Sequence, residues 1–338
     1  MARSNTKRWA FAAVAAAVVA PMIATRVRRR SLAGQVALVT GGSRGLGLLI
    51  SEELARRGAR LVVCARDPDE LATAEARLTA LGADVVTISA NLERESEPRR
   101  VVAAAEDAFG SVDVLVNDAG VMEVGPLSEM TEASFERAMA VHFWAPLELA
   151  RLVVPSMREK RRGRIVNIAS IAGIVSVPHM LPYSASKFAL RGLSEGMHAE
   201  LAKDGISVTT VCPGLMRTGS VGHALFRGRR EKEHALFSAM AALPAFSMSA
   251  RRAARRIVEA SLRGKPHVVL TWQAKLAALA HGLWPGLVNR MLGWVNRWLP
   301  ASDGHGGSAI AGRDLASKTG PSWLTVLNDR AAARYNET

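Results

Sequence analysis

Cysteine and tyrosine are scarce in this 338-residue chain, which contains two residues of each kind. Cys64 and Cys212 lie in apolar, strand-like runs, so we interpret them as reduced thiols in the core and not as a disulfide framework. No Cys/His spacing is typical of a zinc site, and no metal is predicted. The chain is 49% hydrophobic and contains no internal repeat, which excludes a mostly disordered protein.

The net charge of +14 is confined to two segments of the chain. Residues 1–30 contain seven basic and no acidic side chains, and residues 227–265 contain ten basic and three acidic ones. Neither segment carries a nucleic-acid-binding motif, so no nucleic-acid partner is predicted. An anionic membrane surface is the acidic partner that these local basic patches favour.

An unbroken uncharged run extends from Trp9 to Thr25, between two groups of basic residues. As a helix it would span about 26 Å, slightly less than the hydrocarbon core of a bilayer, so a short membrane anchor is the favoured interpretation. A cleaved signal peptide and a peripheral helix are the alternatives. The arginines directly after the run disfavour cleavage and export, and the nearly balanced flanking charges do not orient the segment.

A second apolar region lies in residues 271–300. Its large apolar side chains recur at spacings of three and four, which predicts an amphipathic, tryptophan-rich helical region. Three basic residues interrupt the region, so it is not expected to cross a membrane. Two alternatives remain open: a helix packed on the domain, or a helix in the plane of a membrane. Residues 301–338 are expected to form a flexible tail with one short helix around 324–334.

Between residues 31 and 270, short apolar runs alternate with helical patterns such as Leu48–Arg57 and Phe135–Met157. Strands that are apolar throughout and separated by helices are typical of a parallel sheet covered on both faces. Right-handed crossovers then predict a doubly wound α/β fold. The predicted strands are Val36–Val39, Leu61–Cys64, Val85–Ser89, Val112–Val116, Arg164–Ile168, Val208–Val211 and Val268–Leu270.

The first predicted strand is followed at once by a glycine-rich turn and then by a helix. Glycines let the backbone turn tightly and approach a pyrophosphate closely. The N-terminus of the helix can then face the phosphates. A glycine turn alone is a weak signal, but its place between strand and helix predicts a dinucleotide-binding site. The turn reads Thr40-Gly41-Gly42-Ser43-Arg44-Gly45-Leu46-Gly47.

The residues after the second strand indicate which dinucleotide binds. Folds that bind NAD place an acidic residue about 20 residues after the glycines, where it holds the ribose 2′-hydroxyl. Here Ala65 takes that position and Arg66 follows it, while Arg44 lies in the glycine turn. Two guanidinium groups suit a 2′-phosphate, so the sequence predicts NADP(H) as the cofactor.

Ser170, Tyr183 and Lys187 form the predicted catalytic group. Tyr183 and Lys187 are spaced i and i+4 and therefore share one helical face. A nearby ammonium favours phenolate and lowers the tyrosine pKa from about 10, which suits a proton donor and acceptor near neutral pH. Ser170, at the end of a strand, can hydrogen-bond a reacting carbonyl oxygen.

These motifs, in this order, resemble those of the short-chain dehydrogenase/reductase family over residues 32–270. The resemblance implies a single-domain Rossmann fold and hydride transfer between nicotinamide and a carbonyl or alcohol. It implies that Tyr183 is the general acid/base, that Lys187 lowers its pKa and holds the nicotinamide ribose, and that Ser170 orients the substrate. It also implies a substrate lid at 215–249. The expected cofactor-binding residues are Gly41, Ser43, Arg44, Gly45, Leu46, Gly47, Arg66, Asn91, Asn117, Ala119, Gly120, Tyr183, Lys187, Pro213, Gly214 and Thr218.

Three positions depart from the family pattern. Asp118 stands where the Asn-Asn-Ala-Gly motif has its second asparagine, and Asn91 stands where an aspartate often holds adenine. A carboxylate is nearly isosteric with an amide, so we expect little harm from Asp118, and Asn91 can still form a hydrogen bond. His142 stands where many members have a catalytic asparagine that organises a water relay to the lysine. An imidazole can both donate and accept, so His142 either replaces that asparagine or weakens catalysis.

The expected function is NADPH-dependent reduction of a hydrophobic carbonyl compound: a steroid, retinoid, fatty aldehyde or 3-ketoacyl compound. An NADP-linked alcohol dehydrogenase and a cofactor-binding membrane regulator with little turnover are the alternatives. We expect membrane association with the catalytic domain on the cytoplasmic side, where NADPH is supplied; the family resemblance is compatible with a homo-oligomer. The expected organisation is an anchor at 1–30, a Rossmann domain at 31–270, the helical region at 271–300 and a tail at 301–338.

Overall fold

A computed structural model describes residues 31–242, 247–302, 304, 308–319 and 331–337. Seven of its strands are β1 Val36–Thr40, β2 Arg60–Ala65, β3 Val85–Ser89, β4 Val114–Asn117, β6 Gly163–Ile168, β7 Ile206–Cys212 and β11 His267–Val269. They form one parallel sheet in the order β3-β2-β1-β4-β6-β7-β11. This arrangement confirms the predicted doubly wound α/β fold, and its strand order reverses between β1 and β4, where such folds bind ligands.

Helices cover both faces of this sheet. They include α1 Gly45–Ala55, α2 Pro68–Thr79, α3 Glu97–Phe109, α4 Glu132–Met139, α5 Ala145–Glu159, α6 Leu181–Leu201 and α9 Ala250–Leu262. One hydrophobic core packs α1, α2 and α9 against the strands. The opposite core packs α3 and α5, together with Leu201 of α6. Because both faces are covered, the central strands are mostly apolar rather than alternating, with buried polar residues such as Thr40 and Asn117 at their carboxyl ends.

The helical pattern predicted at Phe135–Met157 is interrupted in the structure. Helices α4 and α5 are joined by a π-helical turn, Ala140–Trp144, which adds one residue to the local repeat. Such turns occur frequently at functional sites. This one contains His142, and the ring of His142 points into the protein with no exposed surface.

The segment expected to form the substrate lid, together with residues that precede and follow it, folds as short elements beside the main sheet. They are β5 Glu123–Val124, β8 Leu215–Arg217, α7 Ser220–His223, β9 Leu225–Phe226, α8 Arg230–Ala242, β10 Ser247–Ser249, β12 Ile310–Ala311 and α12 Gly312–Thr319. Strand β8 pairs with β10. Strand β9 lies between β5, to which it is parallel, and β12, to which it is antiparallel.

The expectation of a flexible tail at 301–338 needs correction for two of its parts. Residues 310–319 form β12 and α12, and Leu315 is buried in a cluster with Phe226 and Phe237. Residues 331–334 are helical, and Tyr335 belongs to the core that packs α1. Composition indicated a linker at the start of this region, but the apolar residues further on have tertiary partners that composition does not reveal.

Two consecutive helices follow the sheet: α10, Trp272–Leu283, and α11, Pro285–Val295. We call residues 272–298 the helical hairpin. One face of the hairpin packs against the domain, with Ala274 buried and with Ala277, Val288 and Leu292 in contact with the core. The opposite face leaves ten large apolar side chains between 41% and 75% exposed. These are Trp272, Leu276, Leu279, Leu283, Trp284, Leu287, Met291, Trp294, Val295 and Trp298.

Within the described residues, no helix has both the length and the apolar character needed to cross a bilayer. The uncharged run Trp9–Thr25 lies outside the described residues.

Candidate active site

A cleft of about 960 Å³ lies at the carboxyl ends of the central strands. Its walls come from the glycine turn, from the ends of β2, β3 and β4, from α6 and from the segment after β7. Twelve of the predicted site residues line it: Gly41, Ser43, Arg44, Leu46, Arg66, Asn91, Ala119, Gly120, Tyr183, Lys187, Pro213 and Thr218. Five others do not line it: Gly45, Gly47, Asn117, Ser170 and Gly214.

The glycine turn has the shape that a dinucleotide requires. Gly41 has φ +69°, and a Cβ there would lie 2.8 Å from the Cα of Ala119. A Cβ at Gly47 would run into the carbonyl oxygen of Gly41. The hydroxyl of Thr40 accepts the amides of Asp118 and Ala119 at 3.2 Å each, which ties this turn to the end of β4. Side chains in the turn would fill the cradle, so the turn fits a pyrophosphate.

Both predicted 2′-phosphate ligands line the cleft, and each already has an acidic partner. Arg44 forms an ion pair with Glu70 of α2, and the Ser43 hydroxyl donates to the same carboxylate at 2.8 Å. Arg66 is 3.4 Å from Glu93 and is more exposed than Arg44. The Arg44 guanidinium and the Ser43 hydroxyl thus hold one anionic group, the Glu70 carboxylate. Because the same two groups can hold another anion, this end of the cleft fits a 2′-phosphate. Sequence reasoning missed Glu70, whose only signal is its place in the first turn of α2.

The other predicted cofactor residues differ in what their side chains contact. Asn91 accepts the amide of Glu93 at 3.1 Å at the rim of the cleft. The Asn117 amide instead points to the next strand and donates to Asn167 at 2.8 Å, so it supports the sheet rather than the cleft. The Thr218 hydroxyl, on the far wall, donates to Ser220 at 2.8 Å.

The segment after β7 is held against the end of β6. The carbonyl of Pro213 accepts the amide of Ile171 at 2.8 Å. A Cβ at Gly214 would collide with the side chain of Thr271, so only glycine fits between these segments. This packing fixes the wall that carries Pro213 and Thr218.

Two of the predicted catalytic residues, Tyr183 and Lys187, line the cleft, and the third, Ser170, contacts Tyr183. The Tyr183 side chain hydrogen-bonds to Ser170, which follows β6. The Lys187 ammonium lies 5.6 Å from the centroid of the Tyr183 ring and donates to the carbonyl of Ile168 at 2.8 Å. The amide of Ala172 donates to the Ser170 hydroxyl oxygen at 3.1 Å and orients it. Helix α6 therefore presents Tyr183 and Lys187 on one face, as their spacing predicts.

Burial changes the pKa values of this group in a direction that the spacing alone did not predict. Burial raises the pKa of Tyr183 to about 12, against the lowering effect of its hydrogen bond with Ser170. Burial lowers the pKa of Lys187 to about 8, against the raising effect of the Asp118 charge. The expected depression of the tyrosine pKa is therefore not found here, because desolvation disfavours the charged form of both groups.

His142 is a positioning residue in a fully buried place. Its Nε2 accepts the amide of Val121 at 3.1 Å, so its Nδ1 carries the proton and donates to Ser186 at 2.7 Å. The Ser186 hydroxyl then donates to the carbonyl of Tyr183 at 2.9 Å. Burial holds the pKa of His142 well below its ordinary value, with Lys187 as a second cause. The neutral ring thus connects the π-helical turn to α6, and both of its nitrogens have hydrogen-bond partners there.

Asp118 is the departure that changes the electrostatics of the site. Its carboxylate accepts the backbone amide of Gly47, and a Cβ at Gly47 would lie 2.8 Å from its Oδ2. Burial raises the pKa of Asp118 to about 7, against the lowering effect of Lys187. An asparagine would be neutral at this position, whereas Asp118 titrates near physiological pH.

Two cleft residues come from regions that sequence reasoning did not connect with the site. Arg313 of α12 and Glu337 both line the cleft. Glu337 is 9% exposed, and its carboxyl contacts the glycine turn at Gly45. No local motif in the sequence links these positions to a turn nearly 300 residues earlier.

Comparisons with known proteins agree with this geometry. A family model described as short chain dehydrogenase matches residues 35–225. A protein named ketoacyl reductase 1 of the granaticin polyketide synthase of Streptomyces violaceoruber is 40% identical over 185 residues, which cover 54% of this chain and 68% of that protein.

Solved structures show the same similarity. A short-chain dehydrogenase from Streptomyces avermitilis has a TM-score of 0.67 at 30% identity, over 78% of this chain and 97% of that one. A metagenomic short-chain oxidoreductase in complex with NADP has a TM-score of 0.52 at 38% identity, over 54% of this chain and 83% of that one.

The family model covers more than half of the chain, from β1 to the start of β9. The matched range contains the glycine turn, Ser170, Tyr183 and Lys187. Helix α8, the helical hairpin and residues 331–337 lie outside it. The chain belongs to the short chain dehydrogenase family, and it is an oxidoreductase of that family.

Proposed function

We propose that this protein is an NADPH-dependent reductase of hydrophobic carbonyl compounds. The observation that carries the proposal is the Tyr183 hydroxyl, hydrogen-bonded to Ser170 at the inner end of a cleft whose outer end presents Arg44. A proton donor and a phosphate-binding cation at opposite ends of one cleft suit a reaction between a dinucleotide and a carbonyl group.

The residues of the cleft would have separate roles in the reaction. NADPH, when bound, would supply hydride to the carbonyl carbon. Tyr183 would give its hydroxyl proton to the carbonyl oxygen, and Ser170 would hold that oxygen. A Tyr183 pKa near 12 suits the donor role, because the group is protonated at neutral pH before the reaction. Lys187 keeps the ring of Tyr183 in place from the next turn of α6.

Near Tyr183, the cleft has apolar walls with one cation among them. Val121, Met122 and Leu225 lie beside Tyr183, together with Arg137. Two phenylalanines of the expected lid, Phe226 and Phe237, do not support this argument, because they pack against one another in the protein interior. A relative named as a ketoacyl reductase makes a 3-ketoacyl compound the first substrate class to test.

The reductive direction is favoured over the oxidative alternative by the NADPH end of the cleft, since this cofactor is the cellular reductant. The alternative of a regulator with little turnover rested on His142 alone. His142 forms internal hydrogen bonds with both ring nitrogens and leaves the Ser170–Tyr183 pair intact, so it does not favour that alternative.

Replacement of Tyr183 by phenylalanine tests the proposal. We expect a loss of turnover of about 10²–10⁴-fold on a carbonyl substrate, because one general acid is removed. NADPH affinity should stay within a few-fold of the parent value. Ser156→Ala is the control, since it removes a hydroxyl group from α5, away from the cleft. Turnover of the Tyr183→Phe protein within tenfold of the parent would contradict the assignment.

We also propose that the enzyme works at a membrane, with the exposed face of the helical hairpin in the lipid interface. Four of its exposed side chains are tryptophans, which favour that interface. The hairpin contains Lys275, Arg290 and Arg297 and no acidic residue, so its charge complements anionic lipid. The apolar face is far larger than isolated exposed side chains would produce.

Residues 1–30 are proposed as the second membrane contact, with the domain at 31–270 on the cytoplasmic side. One shallow contact binds a membrane reversibly, and two hold a protein there stably. Deleting residues 1–30 should release much of the protein from membranes and leave activity intact, because Leu32 is already buried in the folded domain.

Vesicle binding of the protein lacking residues 1–30 tests the hairpin separately. We expect binding to phosphatidylglycerol vesicles that weakens with salt, and weaker binding after Trp284→Ser and Trp298→Ser. Trp144→Ser is the control, because Trp144 is equally apolar and 59% exposed but lies outside the hairpin. A different result would identify the partner of the hairpin as a second copy of this chain. In that case the protein would not bind vesicles, and it would form dimers that the same tryptophan substitutions dissociate.

A further inference from the structure

We infer that residues 335–337 complete the cofactor site, and that the carboxyl group of Glu337 donates a hydrogen bond to the pyrophosphate of the bound dinucleotide. This inference rests on the proposed use of NADPH. It concerns a segment that the family model does not match, so it assigns to this chain a contact that its Rossmann core alone does not contain.

The segment is attached to the glycine turn by specific hydrogen bonds. The carbonyl of Tyr335 accepts the amide of Gly45 at 2.9 Å. The side-chain amide of Asn336 donates to the carbonyls of Ser43 and Glu70 at 3.0 Å each. Asn336 has φ +60°, a left-handed conformation that asparagine tolerates better than most residues. Two side-chain bonds and a tolerated backbone conformation indicate a built contact rather than a loose end.

The ring of Tyr335 anchors the same segment in the core. The residue is 7% exposed and belongs to the cluster that packs α1 and α2. On the outer side, Arg77 of α2 donates to the carbonyl of Arg334 at 2.8 Å. The backbone that carries Glu337 is therefore held from both sides at the N-terminus of α1.

Glu337 lies between the two walls of the cleft. Its Oε1 lies against Gly45, where even a methyl group would collide with it. Its Oε2 is only 2.6 Å from the place where a Cβ of Gly219 would be. The side chain is more than nine-tenths buried, lines the cleft, and its Oε2 has no hydrogen-bond partner among the described residues. A buried polar atom without a partner costs free energy, and a ligand that supplies the partner removes that cost.

The hydrogen-bond partner that Oε2 of Glu337 lacks would be a phosphate oxygen of the bound dinucleotide. Glu337 stands at the first residue of α1, where the fold family's helix dipole and glycine turn receive a pyrophosphate. The whole cleft has a volume of about 960 Å³, and Glu337 forms part of its wall beside the glycine turn.

Burial, more than the surrounding charges, keeps the carboxyl group protonated. Arg44 of the glycine turn lowers its pKa, whereas Asp118 after β4 and Glu70 of α2 raise it. His223 of α7 contacts the Glu337 backbone, and Arg313 of α12 lines the same cleft. Burial is the largest effect and raises the pKa of Glu337 to about 8. A protonated carboxyl can donate to an anion, whereas a carboxylate would repel it.

Direct binding of NADPH and NADH, followed by fluorescence titration without substrate, tests the inference. We expect Glu337→Ala to weaken both cofactors by roughly tenfold, because a hydrogen bond to a charged group is lost. Glu337→Gln should stay within about threefold of the parent, since its amide still donates. Ala333→Ser is the control, because Ala333 is exposed on the same segment and away from the cleft.

The pH profile gives a second readout that a merely structural role would not change. As pH rises through about 8, the parent loses the Glu337 proton, so its affinity for NADPH should fall. Glu337→Gln has no proton to lose at this position, so its affinity should fall less over the same range. Lys187 titrates in both proteins, and the difference between them therefore reports Glu337.

Each outcome decides the matter. A parent protein that binds neither dinucleotide would overturn the proposed function and this inference together. A parent that binds NADPH while Glu337→Ala binds it equally well would overturn only the inference. Tighter binding by Glu337→Ala would show that the segment competes with the cofactor. If Glu337→Ala does not fold, identical pH profiles of the parent and Glu337→Gln would still refute the inference.

Discussion

The two arginines at the outer end of the cleft should contribute very unequally to the preference for NADPH over NADH. The Arg44 side chain is 25% exposed and forms an ion pair with Glu70. The Arg66 side chain is 57% exposed, and its contact with Glu93 is longer, at 3.4 Å. The sequence predicts both arginines as ligands of the 2′-phosphate and does not distinguish their contributions. Solvent screening of an exposed ion pair makes those contributions unequal.

The expected magnitudes follow from this difference in exposure. A charge-assisted contact of Arg44 with the 2′-phosphate is worth about 1.5–3 kcal/mol, which corresponds to roughly 10- to 150-fold in affinity. The contact of Arg66 is worth about 0–1 kcal/mol, which corresponds to less than about fivefold. Arg44→Ala should therefore remove most of the NADPH preference, and Arg66→Ala should remove little of it.

Dissociation constants of both cofactors for the parent, the two single variants and the double variant measure this. Affinity for NADH should change little in any of them, because NADH has no 2′-phosphate. Glu70→Gln should strengthen NADPH binding, since Glu70 occupies the guanidinium that the phosphate needs. The reasoning fails if Arg66→Ala costs more than Arg44→Ala, or if NADH affinity falls in parallel with NADPH affinity.

Three further perturbations have defined outcomes. His142→Ala should lower the free energy of unfolding by about 2–4 kcal/mol in urea titrations, because it leaves a cavity and two unpaired groups; an unchanged midpoint would refute its positioning role. Asp118→Asn should stabilise the protein at pH 8 relative to the parent, and little at pH 4. The folded-state pKa of Asp118 is raised to about 7, so the parent loses stability as pH rises from 4 through 7; melting curves at both pH values check the sign. Gly41→Ala should weaken NADPH binding and lower the melting temperature, because φ is +69° and a Cβ meets Ala119; a parent-like dissociation constant and melting curve would contradict this.

The sheet was predictable because each of its strands has a local sequence pattern that is typical of a strand. Val85–Ser89 is a strand with the predicted bounds, and Val36–Val39 extends by only one residue, to Thr40. The signal is strongest in the central strands, because both faces of the sheet are buried there and most strand residues are apolar. The Tyr183–Lys187 pair was equally accessible, since an i, i+4 spacing fixes a shared face once the helix exists.

What the sequence did not reveal depends on contacts between distant segments. Glu70 reaches the glycine turn from the next helix, and Glu337 reaches it from the other end of the chain. The direction of the Tyr183 pKa also escaped prediction, because spacing reports the nearby ammonium but not the desolvation of both groups. Neither kind of information is local.

The small sheet of β5, β9 and β12 has a consequence for how the substrate end of the cleft can open. Strand β9 is paired on both edges, and the amides of Leu225, Arg227 and Gly312 donate to carbonyls of neighbouring strands or turns at 2.9 Å. These three amides should exchange with deuterium slowly and together, because none can exchange until the whole sheet separates. Residues 225–227 would then behave as a fixed rim of the cleft rather than as a swinging loop.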